Sequence, residues 1–410
     1  MSKDNKDFFK VKMIWSVVKD ELLACYLVPY FSKIMSTRKP LLYVDCFAGK
    51  GKFDDGKNGS PLNALDCLRQ SIAMNAAYQK GAPTPEVFMR FIELNHAQEL
   101  KTNIPKDSPC NIKVIEGAFE ANIIPLLQKV QKSYSNSNVF LYVDPYGIKA
   151  LNMELFRALP GMFDSAELLI NLNSFGFLRE ALRVRKIALE DSDLELLTDL
   201  VEYDSSTLNS LDELNCIAGG DYWQAIVDQY KTHEINMIEA EKLFAEQYKM
   251  QLRKAYKYVL DMPIRLKAGG ITKYRLVHAT NHVEGCTLMA DNIFKRADYL
   301  VVDIQNKGQI SLFETTPDNG YIDEQQIDEK MRCLIDEVAG TRSIRLNELQ
   351  AEFFNRYGVI CSTSHLSSGR NGSSLKRLEK SNEILVERSA GSTARYWTES
   401  KDKTITIRRA

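Results

Sequence analysis

Five short apolar runs, each closed by turn residues, constrain the fold of this chain more than any other feature. They lie at residues 41–46, 86–94, 112–115, 139–143 and 166–172. An apolar run of this kind between turn signals fits a strand buried on both faces, because a parallel sheet covered by helices has no polar side. Helical patterns separate the runs, at 62–78 and 121–132 among others. Strands alternating with helices argue for βαβ units, so the expected class is α/β with a parallel sheet.

Around that rhythm the chain divides further. Residues 8–36 read as an amphipathic helix with a break expected at Pro29. From about 175 to 260 the strand rhythm gives way to helical periodicity, interrupted by Gly219-Gly220, which reads as a helical insertion. Strand-like segments return at 264–267 and 274–279, joined through AGGIT as a closing hairpin, with a helix expected over 284–296. Residues 306–324 carry the Gly, Pro and Asp-Asn-Gly of a linker. Helices are then expected at 325–338, 346–357 and 375–384, followed by strands ILVERS and ARYWTE on either side of AGST. Three helices and a hairpin in this space are the pattern of a winged helix-turn-helix. The expected domains are therefore 1–305, with its insertion, and 325–410.

Charge separates the same two parts. The 410 residues carry 53 Lys and Arg against 54 Asp and Glu, too near neutral for a protein that coats nucleic acid along its whole length. Residues 340–410 nevertheless hold 13 basic against 7 acidic groups, leaving 40 against 47 before them. A basic C-terminal module thus follows an acidic body. The N-terminus is polar and no apolar run reaches the length of a membrane span, so a cytoplasmic protein with no membrane partner is expected. Eight cysteines lie scattered, without the spacing of a zinc or redox motif, and read as reduced thiols, most of them buried.

The chemistry gathers at the strand ends. The first run closes in Asp45-Cys46-Phe47-Ala48-Gly49-Lys50-Gly51, the second in Glu93, the third in Gly117-Ala118-Phe119 and the fourth in Asp144-Pro145-Tyr146-Gly147. Ligands of open α/β sheets collect beyond the carboxyl ends of the strands, where glycine lets the backbone approach closely and a carboxylate can bind ribose hydroxyls. Phe119 could lie against an adenine ring. No P-loop, HExxH or nucleophile motif competes with this reading, and no metal site is expected. His278 and His282, read together at a strand end, fit hydrogen-bonded structural residues better than ligands. The basic segment 179–186 fits a solvated helix face better than a phosphate contact.

Together these residues resemble a class I S-adenosylmethionine-dependent methyltransferase, which implies a Rossmann-like sheet. Asp45, Phe47, Ala48, Gly49 and Gly51 are similar to the cofactor turn of nucleic-acid amino-methyltransferases. The resemblance implies cofactor contacts from these and from Glu93, Ala118 and Phe119. Asp144-Pro145-Tyr146 resembles their (Asp/Asn)-Pro-Pro-(Tyr/Phe) motif, in which the acidic or amide oxygen and a proline carbonyl accept the amino N–H bonds of a flipped base. Here Tyr146 stands in place of the second proline and Gly147 in place of the aromatic.

Over residues 15–300 the chain resembles more closely the three-Cys-motif partner (TcmP) family. The similarity runs through Lys19-Asp20-Glu21-Leu22-Leu23, the turn at 43–49, Gly59-Ser60-Pro61-Leu62, Phe91-Ile92-Glu93 and Glu116-Gly117-Ala118-Phe119. It continues through Val143-Asp144-Pro145-Tyr146-Gly147, Gly220-Asp221-Tyr222-Trp223 and the segment 274–282. That resemblance implies a methyltransferase-like fold and a companion protein with a three-cysteine motif, radical-SAM-like in kind. In the C-terminal module, Lys376, Arg377, Lys380 and Arg395, with the serines at 362–374, are candidates for DNA or RNA phosphate contacts. Two functions stay open at this point: a methyltransferase acting on or with nucleic acid, and a non-catalytic adaptor of the three-cysteine partner.

Overall fold

The computed structural model describes residues 12, 14–78, 85–190, 193, 208, 210–265, 272–306, 322–338, 342–368, 372–389, 399 and 403–410. They form two compact units: Met1–Lys257 with Met262–Ala279, and Tyr258–Asp261 with Thr280–Ala410. The first opens with helix α1 (Ile14–Ser36), which passes through Pro29 without the expected break. A proline inside a helix costs about 3 kcal/mol in lost hydrogen bonding and crowding. Tyr26, Leu27, Tyr30 and Phe31 beside it are all buried, and each contributes about 1.5–3 kcal/mol on burial, so packing wins.

The sheet follows in alternation with helices: β1 (Leu41–Asp45), α2 (Ser60–Tyr78), β2 (Val87–Glu93), α3 (Ala97–Asn103), β3 (Asn111–Glu116), α4 (Phe119–Ser133), β4 (Asn138–Val143), α5 (Met153–Ala158) and β5 (Ser165–Leu172). Strands β1, β4 and β5 are buried at every position. The edge strand β3 instead alternates with exposure, as one solvated side requires. Tyr26 and Tyr30 of α1 bring their rings to 5.8 and 5.2 Å from Phe140 of β4, which sets that helix against the sheet.

Helices α6 (Ser174–Val184), α7 (Leu211–Ala218), α8 (Trp223–Lys231) and α9 (Met237–Leu252) make up the insertion. Gly219, in the left-handed region at φ 78°, ends α7 where the Gly-Gly break was expected. Within the insertion Phe177 stacks on Phe244 at 4.2 Å and meets Trp223 edge-on at 5.9 Å. Strands β6 (Tyr258–Arg265) and β7 (Thr272–Thr280) complete the sheet, β6 starting six residues before the expected segment. The strand order is β3-β2-β1-β4-β5-β7-β6, with β1 to β5 parallel and β7 antiparallel to β5. This mixed α/β architecture, with its seven-stranded and mostly parallel sheet, is Rossmann-like.

The second unit holds α10 (Val283–Asn306), α11 (Glu324–Val338), β8 (Ile344–Arg345), α12 (Leu346–Tyr357), α13 (Thr363–Leu366), α14 (Ser374–Lys380), β9 (Ile384–Arg388) and β10 (Ile405–Arg409). Helix α10 runs ten residues past the expected helix and packs on α12, so it groups with the second unit although the sequence reading places it in the first domain. Met331, Leu334 and Ile335 of α11, Leu349 and Phe353 of α12, and Ile405 and Ile407 of β10 form the core. The small sheet is antiparallel in the order β8-β10-β9. The strand paired with β9 is thus 405–409; most of ARYWTE, including Arg395, and residues 307–321 of the linker expected at 306–324 lie outside the described residues. Helix α14 ends at Lys380, and Ile384 opens β9 rather than closing the helix. No helix among the described residues is long and apolar enough to cross a membrane.

Candidate functional site

Strand order reverses between β1 and β4, which places a crevice beyond their carboxyl ends. Asp45 closes β1 and is fully buried beneath the turn that follows. Its Oδ1 accepts the Phe47 N–H at 3.2 Å and its Oδ2 the Ser60 hydroxyl at 2.6 Å. Burial pushes Asp45 up to about 7, against the downward pull of those two hydrogen bonds. It braces the turn and lines neither part of the cleft above it.

The turn itself needs glycine. Gly49 and Gly51 sit at φ 63° and 83°, and a Cβ on Gly51 would come within 2.8 Å of Leu100 Cδ1. Gly51→Ala is therefore expected to cost roughly 1–3 kcal/mol, read as a lower thermal midpoint of the purified protein. From β2, Glu93 reaches under the same turn. One carboxylate oxygen accepts the Gly49 N–H at 2.7 Å; the other accepts Asn95 and His96 N–H at 2.9 and 3.0 Å.

Two adjoining hollows meet at Phe47, Pro145 and Tyr146. The mainly apolar one, about 280 Å³, is walled by Glu93, Gly117, Ala118 and Phe119, with the Phe47 and Phe119 rings 5.1 Å apart. The other, richer in charged side chains, is walled by Ala48, Gly49 and Gly51 of the turn, by Ser16, Lys19 and Asp20 of α1, and by Asp144, Asn171 and Tyr274. Apart from Asp45, the sequence candidates of this unit are thus brought to one cleft: Phe47, Ala48, Gly49, Gly51, Glu93, Ala118, Phe119, Asp144, Pro145 and Tyr146.

Sequence reasoning gave no role to Lys19, Asp20 and Asn171. Their signal was faint: Ser16, Lys19 and Asp20 share one face of α1 by helical spacing, and Asn171 lies next to the end of β5. Two of them bind Asp144. Lys19 Nζ donates to both of its oxygens at 2.8 and 2.7 Å, Asn171 Nδ2 to Oδ1 at 2.7 Å and the Tyr142 hydroxyl to Oδ2 at 3.1 Å. A carboxylate offers about four acceptor positions, and these bonds use all of them. An amino group could bind Asp144 only by displacing one of these donors. Nearby Asp20 pairs with Lys12 and accepts Asn63 Nδ2 at 3.0 Å. Burial raises it to about 6 although Lys12 pulls it down.

His278 is fully buried on β7, its Nε2 3.2 Å from Glu167, which also accepts the Tyr26 hydroxyl. That is the hydrogen-bonded structural role read from sequence. His282 does not share its strand: β7 ends at Thr280, and His282 is exposed just before α10. In the segment 179–186, Arg183 bonds Glu180 and Arg185 bonds Asp228, which commits both to the fold. Among the described residues no group of three or more His, Cys, Asp or Glu side chains is placed to hold a metal.

In the second unit, Arg377 is bound bidentately by Asp328 at 2.7 Å and paired with Glu324, so it is tied within the fold. Ser373 and Ser374 are buried, and Ser362 bonds His365, so these serines face inward. Lys380 is exposed and Lys376 half-buried.

No protein-family model matches the chain, and no curated protein matches it. Among solved structures, loganic acid methyltransferase with SAH is similar to it at 10% identity and a TM-score of 0.29, covering 72% of this chain and 85% of that one. A likeness at that level carries no argument; the reading of the fold rests on strand order and pairing.

Proposed function

We propose that this chain is an S-adenosylmethionine-dependent methyltransferase-like protein of the three-Cys-motif partner family, acting on or with nucleic acid. The observation that carries the reading is the two-part cleft at the carboxyl ends of β1, β2 and β4, where a positive-φ glycine turn, a strand-end carboxylate and the Asp144-Pro145-Tyr146 segment converge. The residues fit the cofactor. Phe47 and Phe119 offer aromatic walls for an adenine. Glu93, with three N–H bonds accepted, keeps about one acceptor position for a ribose hydroxyl. Gly49 and Gly51 place no side chain in the way. When bound, S-adenosylmethionine supplies a methyl group on a sulfonium. This chain's part is to orient the acceptor, with Pro145 and Tyr146 at the junction of the two hollows.

Titration calorimetry with S-adenosylmethionine tests the cofactor reading directly: micromolar or tighter binding is expected, and no heat from pure folded protein would remove it. Asp144→Ala is expected to abolish methylation of the true substrate; intact turnover would refute the orienting role.

The nucleic-acid part rests on the second unit, whose helices and three-stranded sheet follow the order of a winged helix, with Lys376, Lys380 and Arg395 as its phosphate candidates. Binding through them would weaken steeply with salt. One observation favours the second reading, a non-catalytic adaptor of a three-cysteine-motif, radical-SAM-like protein: the saturated carboxylate of Asp144. A Gly49→Asp variant that lost the cofactor yet kept the partner complex would support it.

A further inference from the structure

The second unit pairs much of its positive charge internally, and one helix supplies the partners of three arginines. Helix α11 carries five acidic against two basic side chains, ahead of a segment whose excess is basic. Asp328 and Glu324 hold Arg377 of α14, Glu337 grips Arg356 of α12 bidentately, and Asp336 lies 3.2 Å from Arg409 of β10. Glu324, Asp336 and Glu337 are each more than half exposed, and exposed ion pairs add little to stability. The buried face of Ile327, Met331, Leu334 and Ile335 already fixes the helix in place. Asp336 and Glu337 also stand in its last turn, where no basic side chain of the helix offsets them and the helix dipole disfavours negative charge. Neither packing nor helix chemistry accounts for these carboxylates; the arginines that they hold do.

An arginine grips a phosphate through two parallel N–H bonds, and a carboxylate competes for that same fork. We propose that α11 is an internal polyanion that occupies Arg356, Arg377 and Arg409, so that nucleic-acid phosphates must displace its carboxylates to reach them. The contact is autoinhibitory: it weakens binding by the second unit without altering its fold. This rests on the nucleic-acid part of the reading above and adds three arginines, from three elements, to the phosphate contacts that Lys376 and Lys380 offer. Neutralising the carboxylates therefore strengthens binding by more than the charge removed, because each arginine set free gains a phosphate and releases a counterion.

Fluorescence anisotropy of the full chain with a labelled DNA duplex and its RNA counterpart, between about 50 and 200 mM salt, tests this. The triple variant Glu324→Gln, Asp336→Asn and Glu337→Gln is expected to bind about tenfold or more tightly than the wild type at the low-salt end. Its slope of log affinity on log salt is expected to steepen by about 2, close to 0.9 for each of Arg356 and Arg409. Glu329, on the same helix, pairs with no arginine among the described residues. Glu329→Gln is therefore the control, expected to leave the slope unchanged. An unaltered slope in the triple variant overturns the masking and leaves the nucleic-acid reading standing, provided the wild type binds. An equal steepening in Glu329→Gln overturns it as well, since general repulsion then suffices. Binding by neither wild type nor triple variant removes the masking and the nucleic-acid reading together. Circular dichroism checks the fold of the triple variant, and Asp336→Asn alone, which keeps the side-chain shape, decides by a slope steeper by about 1.

Discussion

Replacing Arg275 by methionine is expected to destabilise the first unit by about 3–5 kcal/mol, because it strands a buried carboxylate. Arg275 on β7 grips Glu241 of α9 bidentately, at 2.6 and 2.8 Å, and the Ser174 hydroxyl adds a third donor at 2.6 Å. Glu241 is 1% exposed, so water cannot replace the lost guanidinium. The pair as a whole is not expected to be worth that much, since desolvating two charges offsets most of their attraction. Arg275→Met combined with Glu241→Leu should therefore recover most of the loss. Urea denaturation followed by tryptophan fluorescence measures both; a single variant costing less than about 1 kcal/mol would show that the pair does not hold the insertion to the sheet.

The second large effect is a dependence on pH that runs opposite to the usual one for carboxylates. Burial raises Asp45 from 3.8 to about 7 and Asp20 from 3.8 to about 6. In this range the folded protein keeps protons that the unfolded chain has released, so stability falls as pH rises from about 4 to 7. For Asp45 the fall amounts to on the order of 4 kcal/mol over the whole window. Asp45→Asn, which keeps an acceptor for Phe47 N–H, is expected to flatten the profile and to gain stability at pH 8. Denaturation midpoints at pH 5 and pH 8 test it. A steeper fall in the variant than in the wild type would show that Asp45 is not the titrating group.

How far the site was legible in sequence follows from the range of its contacts. Strands β1, β4 and β5 announced themselves because a parallel strand buried on both faces must be apolar nearly throughout, whereas β2 and the edge strand β3 showed only shorter apolar runs between turn residues. The glycine turn, Glu93 and Asp144 stood out because strand ends are where such a sheet exposes chemistry. Pro29 misled because the rule for proline is local, whereas Tyr26, Tyr30 and Phe31 are held by residues distant in the chain. Lys19 meets Asp144 across 125 positions and Asn171 meets it across 27, and no periodicity reports contacts of that length. In the second unit, β8 is two residues long and β10 has only Ile405 and Ile407 as apolar groups, too little pattern to fix a register in advance.

The grip of Glu93 on Gly49 has a consequence for the kinetics of the cleft. A glycine-rich turn left loose would have to be immobilised by each arriving ligand, at about 1–2 kcal/mol for every residue fixed. Here the carboxylate has already fixed the turn from below, through the same side chain that also holds the backbone of Asn95 and His96. The ordering cost therefore belongs to folding and is absent from association. A ligand of this cleft meets a rigid wall, and its rate of entry should be set by diffusion and desolvation rather than by the closing of a loop.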